Sequence, residues 1–177
     1  MHPSVDRPIA LVGLMGAGKS VVARILGDRL GRAVADLDAM IVSECGASVP
    51  ELFDRSGEAA FRRLEGTFLA RALASGAGVV ACGGGVVLDP EHRTLLRESC
   101  RTVWLEVAPE EASRRVRRDG PSRPLLAGGE IEDRLNRLLA ERRGLYEEVA
   151  EVAVSTMDRT PEEVAGAVLA ALRETGP

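Results

Sequence analysis

The stretch "IALVGLMGAGKSVVARILGDRL", residues 9–30, constrains the fold more than any other part of the chain. An apolar run of buried-strand type passes into a glycine-rich octet and then into an amphipathic helical pattern. Glycine costs backbone entropy, so three of them within residues 13–20 mark a backbone that other residues would not fit. The spacing Gly13, Gly18, Lys19, Ser20 matches the phosphate-binding loop G-x-x-x-x-G-K-[ST]. The strand before it and the helix after it, which that motif requires, are both present. In such a loop successive backbone N–H groups turn inward around phosphate oxygens. Lys19 would reach the β- and γ-phosphates, and Ser20 would offer its hydroxyl to a magnesium ion. The chain reads as nucleotide-binding.

The same alternation continues to the end of the chain. Valine-rich apolar runs occupy 9–13, 33–36, 78–82, 102–107 and 151–155. Helical patterns occupy 19–30, 57–75, 90–99, 109–118, 130–149 and 161–173. Strands alternating with helices predict an α/β fold, a parallel sheet with helices on both faces. Five strands in 177 residues predict one domain spanning residues 1–177. Segment 117–130, "RRDGPSRPLLAGGE", fits no regular element, with two prolines, three glycines and dense charge. At that length it is either disordered or a functional lid, and basic side chains in a phosphate-binding protein favour the lid.

Composition removes several classes of function. A net charge of −4 and 3% aromatic residues give no reason to expect nucleic acid or an anionic membrane surface as partner. No apolar stretch is long enough to span a bilayer, and "MHPSVDRP" lacks the apolar core of a signal peptide. Cys45, Cys82 and Cys100 are an odd number without metal-ligand spacing, so reduced and mostly buried thiols are expected. The expectation is a soluble, cytoplasmic monomer acting on small molecules.

Several constellations carry chemistry, each beside a plainer reading. In "ADLDAM", Asp36 and Asp38 are two apart, so in an extended segment both point to one face. At a strand's C-terminal end, in the ligand crevice of an open sheet, they would hold magnesium-bound water and orient or deprotonate an acceptor hydroxyl. Equally, Asp38 would cap a helix over "AMIVSEC". Arg62 and Glu65 in "FRRLE" form either a surface salt bridge or an arginine held by its glutamate and aimed at an anion. Gly83, Gly84 and Gly85 directly follow the third strand, where they would let a ligand approach the backbone. Arg123, inside segment 117–130, suits an arginine finger on a migrating phosphoryl group. Arg142 and Arg143 in "AERRGLYEE" either complement a helix dipole or meet an anion. Arginines suited to a carboxylate, with aspartate suited to hydroxyls, describe a small hydroxy-acid acceptor.

With the glycine-rich loop, "DLD", "FRRLE", "GGG", "RPLL" and "ERRGLY" in this order and spacing, the chain resembles the shikimate kinase family over roughly residues 8–172. That resemblance implies a P-loop NTPase fold of the nucleoside monophosphate kinase type, with a five-stranded parallel sheet in the order 2-3-1-4-5. It also implies a mobile lid at about 117–130 and an acceptor-binding region at about 38–66. The implied reaction moves the γ-phosphoryl group of ATP to the 3-hydroxyl of shikimate, on the path to chorismate and the aromatic amino acids. Carried over by position, Gly16, Ala17, Gly18, Lys19, Ser20 and Val21 would hold the nucleotide, with Lys19 on the transferred phosphate. Ser20 would bind Mg2+ directly and Asp36 through water. Asp38 would bind the acceptor hydroxyls and orient or deprotonate the attacking one. Arg62 and Arg142 would clamp the carboxylate beside Gly83, Gly84 and Gly85, and Arg123 would close over the phosphates. Arg159 in "MDRTP" falls against adenine, with Arg114, Arg115, Arg117 and Arg118 as further candidates for that contact. Gly144 stands where the family commonly has the proline of R-x-P-L-Y, which would loosen a loop after Arg142.

A gluconate-type sugar-acid kinase is the alternative, since gluconate also offers a carboxylate and hydroxyls. The pairing of "FRRLE" with "RPLL" argues against it. A GTP-dependent switch is excluded, because the only asparagine, Asn136, is followed by Arg137 and no N-K-x-D exists.

Overall fold

The computed structural model describes residues 7–118 and 131–176. In chain order the elements are β1 (Ile9–Val12), α1 (Lys19–Leu30), β2 (Val34–Asp36), α2 (Leu37–Cys45), α3 (Val49–Ala74) and β3 (Val79–Ala81). A 3₁₀ turn (Val86–Leu88) then precedes α4 (Pro90–Ser99), β4 (Arg101–Glu106), α5 (Pro109–Arg118), α6 (Ile131–Val149), β5 (Val152–Ser155) and α7 (Pro161–Glu174). The strands form one parallel sheet in the order β2-β3-β1-β4-β5, as the resemblance implied. Parallel neighbours cannot be joined by tight hairpins, so helices carry the crossovers and cover both faces.

Side-chain alternation divides the interior into two cores. Ala10, Val12, Val80 and Trp104 face one side, against Ile41 of α2, Phe68 and Leu69 of α3, Leu96 of α4 and Tyr146 of α6. Ile9, Leu11, Val79, Val103 and Leu105 face the other, against Val22 and Leu26 of α1, Leu135 of α6 and Val168 of α7. A fully buried Leu or Val contributes about 1.5–3 kcal/mol. Strand β1 is buried at all four positions and lies centrally, so the loop that follows it starts from the middle of the sheet. Because every strand runs the same way, all the C-terminal strand ends meet at one edge, where open α/β sheets hold ligands.

Helices outnumber the expectation in one region. Residues 37–45 form α2, and α3 begins at Val49 rather than near residue 57. A capping box starts α3: the Ser48 side chain accepts from the Glu51 N–H, while Glu51 accepts from the Ser48 N–H at 2.7 Å. The helix is interrupted at Gly57, whose φ of 75° and ψ of 171° are open to almost no residue but glycine. In "ERRGLY" the expected loop after Arg142 does not exist, because α6 continues through Gly144 to Val149. Cys82 and Cys100 are buried and Cys45 is exposed, all three as free thiols. Among the described residues no helix is long and apolar enough to cross a membrane. Of segment 117–130, Arg117 and Arg118 close α5; the lid reading of the remainder, Arg123 included, lies outside the described residues.

Candidate active site

From β1 the chain turns through Gly13, Gly16 and Gly18, with φ of 138°, 80° and 85°. Two of these also need the space: a Cβ would stand 2.5 Å from the Leu105 carbonyl oxygen at Gly13 and 2.8 Å from that of Ala112 at Gly16. Gly18 is the N-cap of α1 and offers no side-chain cap, which leaves first-turn N–H groups for an anion. Lys19 Nζ donates to the carbonyl oxygens of Gly13 and Leu14, both at 2.8 Å, so the ammonium folds back over its own loop. Gly16, Ala17, Gly18, Lys19, Ser20 and Val21 all line a cleft of about 750 Å³, the size of a small-molecule site.

Asp36 and Asp38 line the same cleft, but not as two residues of one extended segment. Strand β2 ends at Asp36, which is itself the N-cap of α2; its Oδ1 accepts from Ala39 N–H at 3.1 Å. Asp38 sits in the first turn of that helix. The capping role therefore belongs to Asp36 and not to Asp38, while both carboxylates gain from the helix N-terminus.

Arg62 and Glu65 pair as their spacing suggested, yet in the interior: they are 9% and 1% exposed. Glu65 Oε2 accepts from Arg62 Nη1, and Glu58 Oε1 accepts from Arg62 Nε at 3.3 Å and Nη2 at 3.0 Å. The rings of Phe53 and Phe61 flank the guanidinium, each centroid 5.6 Å from Cζ. The surface-bridge reading falls. The glycine triplet explains how such a pair fits. A Cβ on Gly83 would overlap Glu65 Oε1 and stand 3.0 Å from Asp38 Oδ1, and one on Gly85 would overlap the Arg62 guanidinium. Gly83, Gly84 and Gly85 all line the cleft, and Gly83 and Gly85 also make room for the protein's own side chains.

Glu65 Oε1 is buried and accepts no hydrogen bond among the described residues. Burial pushes the Glu65 carboxyl up to about 7; the Arg62 guanidinium opposes the shift and the Asp38 charge adds to it. A carboxyl raised in the folded state binds its proton more tightly there than in the unfolded chain. Its contribution to stability therefore declines as pH rises from about 4.5 to about 7. Glu65→Gln removes this dependence. The melting temperature of the wild type should fall relative to that of Glu65→Gln across this window and hold a constant offset above it. A constant offset throughout would mean an ordinary carboxyl. Cys82 also lines the cleft, but burial pushes its thiol well up, so it is no nucleophile there.

Arg142 is 5% exposed and lies well before the end of α6, so the dipole reading falls. Its Nη1 donates to the Gly84 carbonyl oxygen at 3.0 Å, and its buried Nε has no partner among the described residues. Arg143 instead lies over Trp104, 5.6 Å from the ring centroid. Arg159 lines the cleft and donates to the Ser155 carbonyl oxygen at 3.1 Å. Of the four arginines on α5, Arg115 and Arg118 line the cleft. Arg115 donates to Gly16 O at 3.3 Å and Thr156 O at 3.1 Å, tying the loop after β1 to the loop after β5. Arg114 pairs with Glu111 at 2.9 Å and is 68% exposed. Spacing alone could not choose them, because Arg114 and Arg117 share the same i, i+3 relation as Arg115 and Arg118. Phe53 and Phe61 carried no signal; nothing in the local pattern separates them from ordinary core.

The wider comparisons bear on the same residues. A family model described as shikimate kinase matches residues 15–173. A shikimate kinase of Thermobifida fusca is 44% identical over 172 residues, covering 97% of this chain and 98% of that protein. The solved structure of a shikimate kinase from Acinetobacter baumannii in complex with shikimate superposes with a TM-score of 0.92 at 34% identity, over 97% of this chain and 96% of that one. A gluconokinase from Sinorhizobium meliloti reaches a TM-score of 0.61 at 23% identity over 95% of this chain and 92% of that one, a likeness of fold alone. With the family model spanning most of its length and relatives this close, the chain belongs to the shikimate kinase family.

Proposed function

We propose that the chain transfers the γ-phosphoryl group of ATP to the 3-hydroxyl of shikimate, giving shikimate 3-phosphate for chorismate synthesis. The observation that carries this reading is the meeting of two buried arginines, Arg62 and Arg142, with the glycine loop in one cleft. Buried cations on two separate helices suit a small carboxylate held beside a phosphate site. The Nε of Arg142, without a partner among the described residues, is a donor that such an acceptor would satisfy. Gly84 continues that wall, Asp38 orients or deprotonates the attacking hydroxyl, and Lys19 carries the transferred phosphate. Arg115, Arg118 and Arg159 surround the nucleotide. Arg123 keeps the arginine-finger role that its sequence context suggests. Mg2+ fits the donor set here, since Ser20 supplies a hydroxyl and Asp36 a carboxylate on the same cleft, and magnesium takes few protein ligands beside phosphates and water. When bound it would neutralise charge on the β- and γ-phosphate oxygens. A cytoplasmic monomer, with neither nucleic acid nor membrane as partner, completes the reading.

The test is ADP release with shikimate, gluconate and quinate as acceptors, where shikimate should be preferred by a wide margin. Arg62→Lys should raise the KM for shikimate by about 10- to 100-fold, because lysine cannot reproduce the two parallel charge-assisted bonds of the fork. The KM for ATP should stay nearly unchanged, and shikimate methyl ester should be a poor substrate of the wild type. An ester that works as well as the acid would remove both arginines from the acceptor site.

A further inference from the structure

Tyr146 lies on α6 one turn beyond Arg142 and is fully buried. Its hydroxyl donates to the Gly84 carbonyl oxygen at 2.6 Å, the same oxygen that accepts from Arg142 Nη1 at 3.0 Å. Two donors spaced i, i+4 on one helix face thus converge on a single peptide of the glycine triplet. The phenol ring stacks on Trp104 of β4 with centroids 5.8 Å apart, which fixes the hydroxyl to the sheet. Gly84 in turn packs on the phosphate-binding loop: a Cβ there would stand 3.4 Å from Gly13 O, 3.5 Å from Met15 N and 3.8 Å from Arg142 Nη1. The peptide held by Tyr146 is therefore wedged between the nucleotide loop and an acceptor-side arginine.

We propose that Tyr146 is a positioning residue that sets the separation of phosphoryl donor and acceptor, acting through the Gly84 carbonyl and Arg142. The proposal rests on the functional reading above. Its physical basis is a division of labour on one carbonyl oxygen. With the phenol in place, Gly84 O keeps a donor when Arg142 turns its charge toward an acceptor. Without it, Arg142 must serve the peptide and the acceptor together, and the glycine segment is held less firmly against the loop. Burial pushes the Tyr146 phenol up to about 12, so it remains a proton donor at any assay pH.

Tyr146→Phe keeps the ring and its stacking and removes the hydroxyl, which donates to Gly84 O and also meets the Arg142 guanidinium. The KM for shikimate should rise about three- to tenfold and kcat should fall, while the KM for ATP stays within about twofold. Replacing Tyr146 by 4-aminophenylalanine returns an N–H at the same point and should restore both parameters. A tyrosine that merely packs would lower the melting temperature and leave the KM for shikimate where it was; that result overturns the proposal. So does an equal rise in both KM values, or an amine that restores nothing. A wild type that transfers no phosphoryl group to shikimate overturns the functional reading as well, and so is told apart from failure of the Tyr146 role alone.

Discussion

Lys19→Ala is expected to cut phosphoryl transfer by on the order of 10³-fold, with the fold intact. The ammonium donates to Gly13 O and Leu14 O at 2.8 Å, so it is already held at the mouth of the loop before nucleotide arrives. Preorganised charge of this kind acts mainly on the charge that develops in the transition state, so the loss should fall on kcat more than on nucleotide affinity. Folding should tolerate the change. Lys19 is the first residue of α1, alanine is the better helix former, and of the two carbonyls released Leu14 O keeps the Ala17 N–H at 3.2 Å. Circular dichroism and a melting curve beside single-turnover kinetics would separate the two effects. Near-normal turnover in a folded variant would end the assignment of the glycine loop.

Asp38→Asn should lower kcat by on the order of 10²–10⁴-fold, the range shown by positioned general bases. The substitution keeps shape while removing the charge and the proton acceptor. Its interpretation depends on a detail of the fold: because Asp36 caps α2, the change at Asp38 leaves that cap in place. The lost first-turn charge should itself cost about 0.3–1 kcal/mol of stability. An internal check is available in Glu65. Part of the upward pressure on its carboxyl comes from Asp38, so the Glu65 titration should move down from about 7 in the asparagine variant. If only the KM for ATP changed, Asp38 would belong to the nucleotide side of the cleft.

Much of this was legible in the sequence, for identifiable reasons. Strand β1, the glycine loop and α1 announce themselves because positive φ and a buried strand impose residue types locally. The boundaries of α4 and α5 follow from periodicity alone. Helix α2 was one of two readings of "ADLDAM", but with Asp38 as its cap, because Asp36 and Asp38 also alternate with apolar residues as a strand would; the chain turns helical immediately after Asp36. The front of α3 was hidden behind Gly57, although Ser48 and Glu51 spelled a capping box. Spacing proposed the Arg62–Glu65 pair but could not give its depth, which depends on Gly83 and Gly85 arriving from β3. For the same reason Arg142 looked like a helix-end charge until Gly84 was brought beside it. Contacts between distant segments decide these cases, and no local pattern encodes them.

The crowding at Gly83 and Gly85 limits how such a site could evolve resistance to an inhibitor. A compound filling the acceptor half of the cleft is most simply excluded by adding bulk to the wall beside it. Here that wall is already occupied from behind by Glu65 and Arg62. Any side chain introduced at either glycine displaces Glu65 or Arg62 before it reaches a drug, and the proposed clamp on the acceptor is disturbed with it.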